Sequence, residues 1–464
     1  MGKSWSSSGV DVHLDWDPDT GRAGLAEALR LAIRAGRLPR GAMLPSTRAL
    51  AADLGIARGT VTRVYTDLAA EGYLRTRQGA PTTVATAATA ATSPPSVPPA
   101  APKQSAPRWS LLPGQPNLSM FPRGEWLSAT RRVLQHAPSS MFGYLEERGV
   151  EQLRHALARY LTRSRGVVAE PERIVVCGGY SHAISLLCTT LRELGESSIA
   201  FEDPSLWVFR DLAAAAGLGV DPVAVDDDGL VVSELDSSAV VVTPAHQYPL
   251  GVTLAPHRRA DLARWARDRD AVVIEDDYDG EFRFDRRPIG AVQALAPEHI
   301  VYAGTASKTL APGLRLGWLV LPSGLVEPVR AVLARSGWRA PVLQQLVLAD
   351  LLESGAYDRH VRRCRASYRR RRDQLLARLP PQLSPRGISA GVQLLLMLPE
   401  SGPDEQAVLA AAHRHSLALQ PLGPHWIGNQ QRGAGILVGY ATPAEHAFGP
   451  TVRALLDTLT DAGL

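Results

Sequence analysis

Between residues 25 and 71, apolar and polar positions alternate with a helical period that is interrupted by short breaks. Between residues 25 and 35, one face of a predicted helix collects the apolar side chains Leu25, Ala28, Leu29, Ala32 and Ile33. Ser46 stands where an N-cap opens a second helix, and Gly55 stands where that helix ends. A third apolar face begins near residue 58 and runs to Glu71. Two short helices joined through a glycine-containing turn predict a helix-turn-helix.

The segment after the third helix predicts a two-stranded wing, with residues 73–77 and 82–84 flanking a turn at 78–81.

The distribution of charge distinguishes this part of the chain from the rest. Residues 21–80 hold ten arginines against four acids, a net charge of +6, whereas the whole protein has +4. The rest is therefore near neutral on average. A small basic module on a larger neutral body favours binding of a polyanion, although a solvated basic face has a similar composition.

Residues 82–107 differ in composition from both the basic module and the large domain. Of these 26 residues, 22 are Ala, Thr, Pro or Ser, and such a composition predicts a linker without a core. We therefore predict a winged helix at 10–81, a linker at 82–107 and a large domain at 108–464.

The sequence pattern of the large domain predicts an α/β fold. From residue 173 onward, short β-rich runs alternate with helical patterns, as at 174–176, 199–201, 239–242, 271–274 and 300–302. This alternation is typical of a largely parallel sheet with helices on both faces. Ligands in such folds bind at the carboxyl ends of the strands, and polar clusters follow these runs.

Composition narrows the class of protein. The chain is 45% hydrophobic and 21% charged, which is typical of a globular protein. No run approaches 18 apolar residues, and the first 20 residues lack the apolar core of a secretory signal, so we expect no membrane partner. Three cysteines without CxxC spacing favour the cytoplasm. The cysteines, histidines and acidic residues are not spaced in the sequence in a pattern that predicts a metal site.

The segment LPSTRALAADLGIARGTVTRVYTDLAAEGYL, residues 44–74, resembles the GntR-type winged helix. The resemblance implies double-stranded operator DNA as a partner, because arginine and threonine at these positions serve base edges and phosphates. The residues it implies at the DNA are Arg48, Arg58, Thr60, Thr62, Arg63 and Gly79.

Three segments of the large domain resemble fold-type I aminotransferases, namely GTASKTLAPGLRLG at 304–317, VVIEDDYDGEF at 272–282 and CGGYSHAI at 177–184. The resemblance implies pyridoxal 5′-phosphate, held as a Schiff base by Lys308, with Asp276 at the pyridine nitrogen and Tyr278 near the phenolic oxygen. It assigns the phosphate to Arg315, Ser307, Thr305, Gly179, Tyr180 and Ser181.

With TPAHQYPLG at 243–251, the winged helix and the linker, these segments make the chain similar to the MocR subgroup of GntR regulators, which implies a head-to-tail homodimer and a small-molecule effector. Two positions depart from the aminotransferase pattern. Leu206 stands where an aromatic residue stacks on the cofactor, with Trp207 one place late, and Leu437 stands where an arginine clamps the substrate carboxylate, with Arg432 nearby.

We therefore expect a regulator rather than an enzyme, with no catalytic residue and with pyridoxal phosphate itself as the signal. Three alternatives stay open at this point. An amine could act through the aldimine of the cofactor, the body could be a working aminotransferase with a vestigial head, or the body could lack the cofactor altogether.

Overall fold

The computed structural model divides the chain into two units, residues 1–104 and 105–464, each with its own core. The described residues are 14, 16–77, 80–85, 107–144, 146–284, 289–383, 385–428 and 433–464.

The first unit is a three-helix winged helix. Its elements are α1 (Gly21–Arg34), α2 (Thr47–Leu54), α3 (Arg58–Ala70), β1 (Leu74–Arg75) and β2 (Thr83–Val84). The side chain of Ser46 caps α2 by accepting a hydrogen bond from the Ala49 N–H at 3.1 Å, and Gly55 ends it in the left-handed conformation. These local signals place α2 where the sequence predicts it.

The second strand of the wing lies beyond residue 81, which is where the sequence predicts that this unit ends. β1 and β2 pair antiparallel, with Leu74 opposite Val84. Val84 is apolar and only 2% exposed, and it packs into the core of the helices, so residues 82–84 belong to the wing and not to the linker. The remainder of the predicted linker, 86–106, lies outside the described residues.

The second unit is an α/β domain with one large and one smaller sheet. Its strands are β3 (Trp109–Ser110), β4 (Ile174–Cys177), β5 (Ser198–Asp203), β6 (Gly219–Asp226), β7 (Gly229–Leu230), β8 (Ala239–Val242), β9 (Val272–Asp277), β10 (Ile300–Thr305), β11 (Gly317–Val320), β12 (Pro385–Arg386), β13 (Leu394–Met397), β14 (Leu417–Ala418), β15 (Gln420–Pro421) and β16 (Gly435–Val438). Its helices are α4 (Arg123–His136), α5 (Glu151–Arg165), α6 (Tyr180–Glu193), α7 (Trp207–Ala215), α8 (Pro256–Arg269), α9 (Ser323–Ser336), α10 (Val342–Glu353), α11 (Ala356–Leu376), α12 (Glu405–Arg414) and α13 (Glu445–Asp461).

The large sheet has the order β4-β11-β10-β9-β8-β5-β6-β7. Its centre, from β10 to β6, is parallel, whereas β11 runs antiparallel to both of its neighbours. Side chains alternate along β4, so that Ile174 and Val176 face one helical layer and Val175 and Cys177 face the other. The predicted arrangement of helices on both faces of the sheet is confirmed, and the antiparallel β11 is an addition that the pattern does not predict.

The smaller sheet, β12-β13-β16-β15, packs against α12 and α13. The carboxyl ends of β5, β8, β9 and β10 lie side by side in the large sheet, because these strands are consecutive and parallel. This edge is where side chains from distant parts of the sequence meet.

Candidate functional site

A cavity of about 400 Å³ opens at the carboxyl ends of these parallel strands. It brings together eight of the nine residues that the sequence predicts for the cofactor, and these are Lys308, Asp276, Tyr278, Arg315, Ser307, Thr305, Tyr180 and Ser181. The ninth, Gly179, immediately precedes α6 beside them.

Lys308 follows β10 in the loop that leaves the sheet. Its Nζ donates a 2.5 Å hydrogen bond to the carbonyl oxygen of Gly114. Burial lowers the pKa of the Lys308 amine, and the nearby carboxyl of Asp276 opposes part of that shift. A buried amine with a lowered pKa is a better nucleophile than an exposed lysine, because more of it is unprotonated near neutral pH.

Asp276 lies on β9, directly opposite Ala303 of β10, and is 6% exposed. Its Oδ1 atom is buried without a hydrogen-bond partner among the described residues. Burial raises the pKa of Asp276 well above its ordinary value, and Lys308 partly counteracts this. A buried carboxylate oxygen that faces a cavity without a donor suits a ligand that brings an N–H.

The amino end of α6 forms an anion cradle with Arg315. Gly179 has a φ of +83°, and a Cβ there would lie 3.7 Å from Nη1 of Arg315. A Cβ on Gly317 would lie 2.9 Å from the Cα of Gly179, so both positions require glycine. Arg315 is exposed, and its side chain makes no hydrogen bond or ion pair within the described part of the chain. A free guanidinium beside helix N–H groups is suited to a phosphate.

Hydroxyl groups complete this end of the cavity. Thr305 Oγ1 lies 2.9 Å from Ser307 Oγ and accepts a hydrogen bond from the Ser307 N–H at 3.1 Å. Ser181 is in the first turn of α6, on the same side of the cavity.

Tyr278 belongs to a buried polar network on the other side of the cavity. Its hydroxyl lies 3.1 Å from His246 Nδ1, which in turn lies 2.9 Å from Asp279 Oδ2. Gln393 donates to the Tyr278 hydroxyl at 3.4 Å and accepts from the Gly114 N–H at 3.0 Å. The network thereby joins the phenol of Tyr278 to the segment that holds Lys308.

Several residues of the cavity are not among those predicted from the sequence. Glu202 is buried and accepts hydrogen bonds from the Thr243 hydroxyl at 2.5 Å and from Gln247 at 3.2 Å. Burial raises the pKa of Glu202 to about 7. Tyr248 and Phe209 line the apolar wall of the cavity. Glu202 directly follows the β-rich run 199–201, at the edge of the sheet where ligands bind, and this position is the signal that the sequence offers.

The two departures from the aminotransferase pattern lie in different surroundings. Leu206 and Trp207 both line the cavity, and the Trp207 ring packs edge-on against His425 at 5.5 Å. Leu437 lies on β16, is fully buried, and belongs to an apolar cluster with Trp426 instead of the cavity lining. Arg432 lies outside the described residues.

The predicted DNA-contacting side chains lie on α2 and at the beginning of α3. Arg48, Arg58 and Arg63 are exposed, and none of them has a hydrogen bond or ion pair from its side chain in the described part of the protein. By contrast, Arg30 of α1 pairs with Glu71 at 2.7 Å. Three exposed arginines without a side-chain partner therefore lie on the helix-turn-helix itself.

The two threonines lie on the same helix. Thr62 is exposed and Thr60 is half-buried, and the Thr62 hydroxyl donates to the Arg58 carbonyl at 3.0 Å. Gly79, predicted at the wing tip, lies outside the described residues.

Two family models match the chain, one for each unit. Residues 22–84 match the bacterial regulatory proteins of the gntR family, and residues 116–423 match aminotransferase class I and II. The protein is therefore a DNA-binding regulator of GntR type whose second unit has the fold of an aminotransferase. Among the described residues, no helix is long and apolar enough to cross a membrane, and no cluster of His, Cys, Asp and Glu is arranged to hold a metal ion.

Relatives that span the whole architecture define the subgroup. The chain is 32% identical to the HTH-type pyridoxine biosynthesis transcriptional regulator PdxR of Corynebacterium glutamicum, over 94% of this chain and 95% of that protein. It is 32% identical to the probable rhizopine catabolism regulatory protein MocR of Rhizobium meliloti, over 90% of this chain and 89% of that protein. The chain belongs to the MocR subgroup of the GntR family.

Solved structures confirm the fold of the second unit. An archaeal alanine:glyoxylate aminotransferase superposes with a TM-score of 0.69 at 23% identity, covering 76% of this chain and 90% of that one. The kynurenine aminotransferase of Pyrococcus horikoshii superposes with a TM-score of 0.68 at 22% identity, covering 77% of this chain and 92% of that one.

Proposed function

We propose that this regulator binds pyridoxal 5′-phosphate in the cavity of its second unit and that the cofactor itself is the signal that changes operator affinity. The winged helix is the output, and Arg48, Arg58, Thr60, Thr62, Arg63 and Gly79 are its DNA-contacting residues. The aminotransferase fold serves as a sensor and not as an enzyme.

The residues of the cavity fit the cofactor group by group. When bound, pyridoxal phosphate supplies an aldehyde that condenses with a primary amine, and its protonated ring withdraws electrons. Lys308 is the amine in the cavity, and the unpartnered Oδ1 of Asp276 is the acceptor for a ring N–H. Arg315 and the amino end of α6 would hold the phosphate, with Ser307, Thr305 and Ser181 adding hydroxyl donors. Gly179 and Tyr180 would contribute backbone N–H groups, and Tyr278 the contact to the phenolic oxygen.

The position of Leu437 is the observation that carries the choice of signal. An amino-acid substrate needs a cation for its carboxylate, and the aminotransferase pattern places that arginine at the position of Leu437. Leu437 is fully buried in an apolar cluster with Leu395 and Trp426, where no carboxylate can reach it. The groups for the aldehyde, the ring nitrogen and the phosphate are all in the cavity, whereas Leu437 stands at the place of the substrate clamp and Leu206 at the place of the stacking aromatic residue. A site of this kind holds the cofactor and processes little.

The name of one relative supports the same choice. PdxR of Corynebacterium glutamicum is named for the regulation of pyridoxine biosynthesis, and the present chain matches it over almost its full length. A regulator of that pathway has pyridoxal phosphate as its natural end-product signal.

The proposal includes a homodimer, and the surface of the second unit supports it. Four large apolar side chains between residues 118 and 142 are strongly exposed, and these are Leu118 at 46%, Leu127 at 61%, Leu134 at 55% and Phe142 at 49%. Apolar side chains concentrated in this way are typical of a protein–protein interface.

The experiment that tests the proposed function measures operator binding by cofactor-free and cofactor-loaded protein without any amine. We expect the two binding curves to differ. Coincident curves would exclude pyridoxal phosphate as the signal.

A further inference from the structure

The near-neutral average charge of the second unit conceals one strongly basic helix. α11 holds eight arginines against two aspartates in 21 residues, a net charge of +6. The whole winged-helix region, residues 21–80, has the same net charge over 60 residues.

The arginines of α11 have two distinct roles. Arg371 is 1% exposed and donates to the carbonyl oxygens of Ala441 and Pro443, so it stabilises the junction with α13. Arg365 is half-buried and donates to the Glu281 carbonyl at 2.7 Å. Arg372 is also largely covered, with a side chain that is 14% exposed and lies 3.9 Å from Asp373. These three side chains are held against the protein.

Five other arginines form an exposed stripe along α11, which we name the arginine stripe. Its members are Arg359, Arg362, Arg363, Arg369 and Arg370. At 100° per residue they fall within an arc of about 120°, and at 1.5 Å per residue the stripe is ~16 Å long. The fold therefore presents a straight row of guanidinium groups to solvent.

Neighbouring acids neutralise the stripe only in part. The side chain of Arg362 makes no hydrogen bond or ion pair within the described part of the chain. Arg369 lies 3.9 Å from Asp373 and Arg370 lies 4.0 Å from Glu445, at the limit of an ion pair. Arg363 has a close acidic partner, Glu125 at 2.8 Å, and Arg359 donates to the Ser354 carbonyl oxygen at 3.3 Å.

The charges of α11 and of the acids that contact it leave an excess of cations. The cations are the eight arginines of α11 and Arg163, and the acids they face are Asp358, Asp373, Glu125, Glu281 and Glu445, which gives nine positive against five negative charges. Asp358 is itself paired with Arg163 at 2.7 Å. The helix, Arg163 and the acids that contact them therefore have an excess of about four positive charges.

We infer that the arginine stripe is a second DNA-contacting surface, which binds the phosphate backbone without reading sequence. Arginine is the side chain best suited to phosphate, since its planar fork donates two parallel hydrogen bonds. B-DNA presents one negative charge per ~1.7 Å of its axis, so ~16 Å of duplex offers the stripe about nine phosphates.

The winged helix makes DNA the favoured polyanion. Because the chain already carries a GntR-type head, every operator-bound molecule holds its second unit near DNA through the segment 86–106. A tethered weak site acts at a high effective concentration and needs little intrinsic affinity. The stripe would then strengthen binding to long duplexes and leave sequence preference to the head.

The test measures how DNA affinity of the full-length protein depends on salt. The probe is a 60-bp duplex of random sequence, titrated between about 50 and 200 mM KCl. The slope of log K against log [KCl] is negative, and each lost phosphate contact lowers its magnitude, which is the slope meant below, by about 0.9. The variant Arg362→Gln/Arg369→Gln/Arg370→Gln should lower the slope by about 2–3. The single variant Arg362→Gln should lower it by about 1 and gives the answer if the triple variant does not fold.

A matched control removes three exposed arginines from α8, with Arg264→Gln, Arg267→Gln and Arg269→Gln. It loses the same charge and should keep the wild-type slope. A wild-type slope in the stripe variants would overturn the inference, as would equal losses in the stripe and control variants. An unchanged slope together with lost binding to phosphatidylglycerol vesicles would assign the stripe to a lipid surface and would also overturn it.

Discussion

The Lys308 amine hydrogen-bonds to the carbonyl oxygen of Gly114 at 2.5 Å, across 194 residues of sequence. This contact fixes the amine inside the cavity, within the electrostatic influence of Asp276. The burial that lowers the pKa of Lys308 also raises the pKa of Asp276. The two groups thus place a reactive amine and a hydrogen-bond acceptor in the same cavity before any ligand binds.

The first prediction follows from the rarity of lysine in this chain. The protein has only three lysines, Lys3, Lys103 and Lys308, and of these Lys308 lies in the cavity. Protein loaded with pyridoxal phosphate and reduced with borohydride should yield one modified tryptic peptide, the one that contains Lys308. Lys308→Ala should lose both this peptide and the visible absorption, whereas Lys103→Ala should keep them. A stoichiometric adduct in Lys308→Ala would refute the assignment.

Asp276→Asn should change cofactor affinity and stability in opposite directions. The amide cannot replace a charge-assisted hydrogen bond to a ring N–H, so cofactor affinity should fall by about 10–150-fold, or roughly 1.5–3 kcal/mol. Cofactor-free protein should become more stable at pH 8, because a buried unpartnered carboxylate is replaced by a neutral side chain of the same shape. Calorimetry of cofactor binding and thermal melting of the cofactor-free protein measure the two effects. A loss of both affinity and stability would indicate a merely structural role.

Glu202 should contribute a pH dependence to the stability of the cofactor-free protein. Its pKa is about 7 in the folded chain against an ordinary 4.5, so the folded state holds this proton more tightly than the unfolded state. The contribution is fully present below 4.5 and is lost as pH rises through 7. Glu202→Gln should therefore be more stable than wild type at pH 8, with little difference at pH 5.

The matching measurement is a series of melting temperatures from pH 5 to pH 8. The variant should keep part of the dependence, because burial also raises the pKa of Glu275 and Glu281 to about 7. Parallel pH profiles for wild type and variant would contradict the assignment of a proton to Glu202.

Arg58→Ala should weaken operator binding by about 5–150-fold, or roughly 1–3 kcal/mol, if this side chain reads a base edge. Arg58 is exposed at the first position of α3 without a partner in the described chain, so the substitution disturbs no internal contact. Arg22→Ala is the matched control, since it removes one exposed arginine from α1 of the same unit. Gel-shift titrations measure both. Operator affinity that survives the double variant Arg48→Ala/Arg58→Ala would exclude the predicted DNA-contacting surface.

The features that could be predicted from sequence are those fixed by local chemistry. Ser46 and Gly55 bound α2 because a cap and a left-handed glycine act within one turn of the helix. Asp276 and Lys308 could be placed at the same edge because each follows a β-rich run, and parallel strands share one carboxyl end.

The features that could not be predicted depend on packing between distant segments. The bond from Lys308 to Gly114, the burial of Glu202 against Thr243 and the insertion of β11 between β4 and β10 are all of this kind. The arginines of α11 are visible in the sequence, but only the fold separates the buried Arg371 from the exposed Arg362.

A DNA-binding titration with and without the cofactor shows directly whether pyridoxal phosphate is the signal. A duplex that the protein itself selects from a random library is titrated with cofactor-free protein and with protein loaded with pyridoxal phosphate, each in the absence and presence of GABA or alanine. We predict that the cofactor alone changes operator affinity by about 5–150-fold, and that operator DNA changes cofactor affinity by the same factor, since the coupling is reciprocal. Lys308→Ala should abolish or strongly reduce the shift. Identical curves for the cofactor-free and loaded forms, with a shift only after an amine is added, would show that pyridoxal phosphate alone is not the signal.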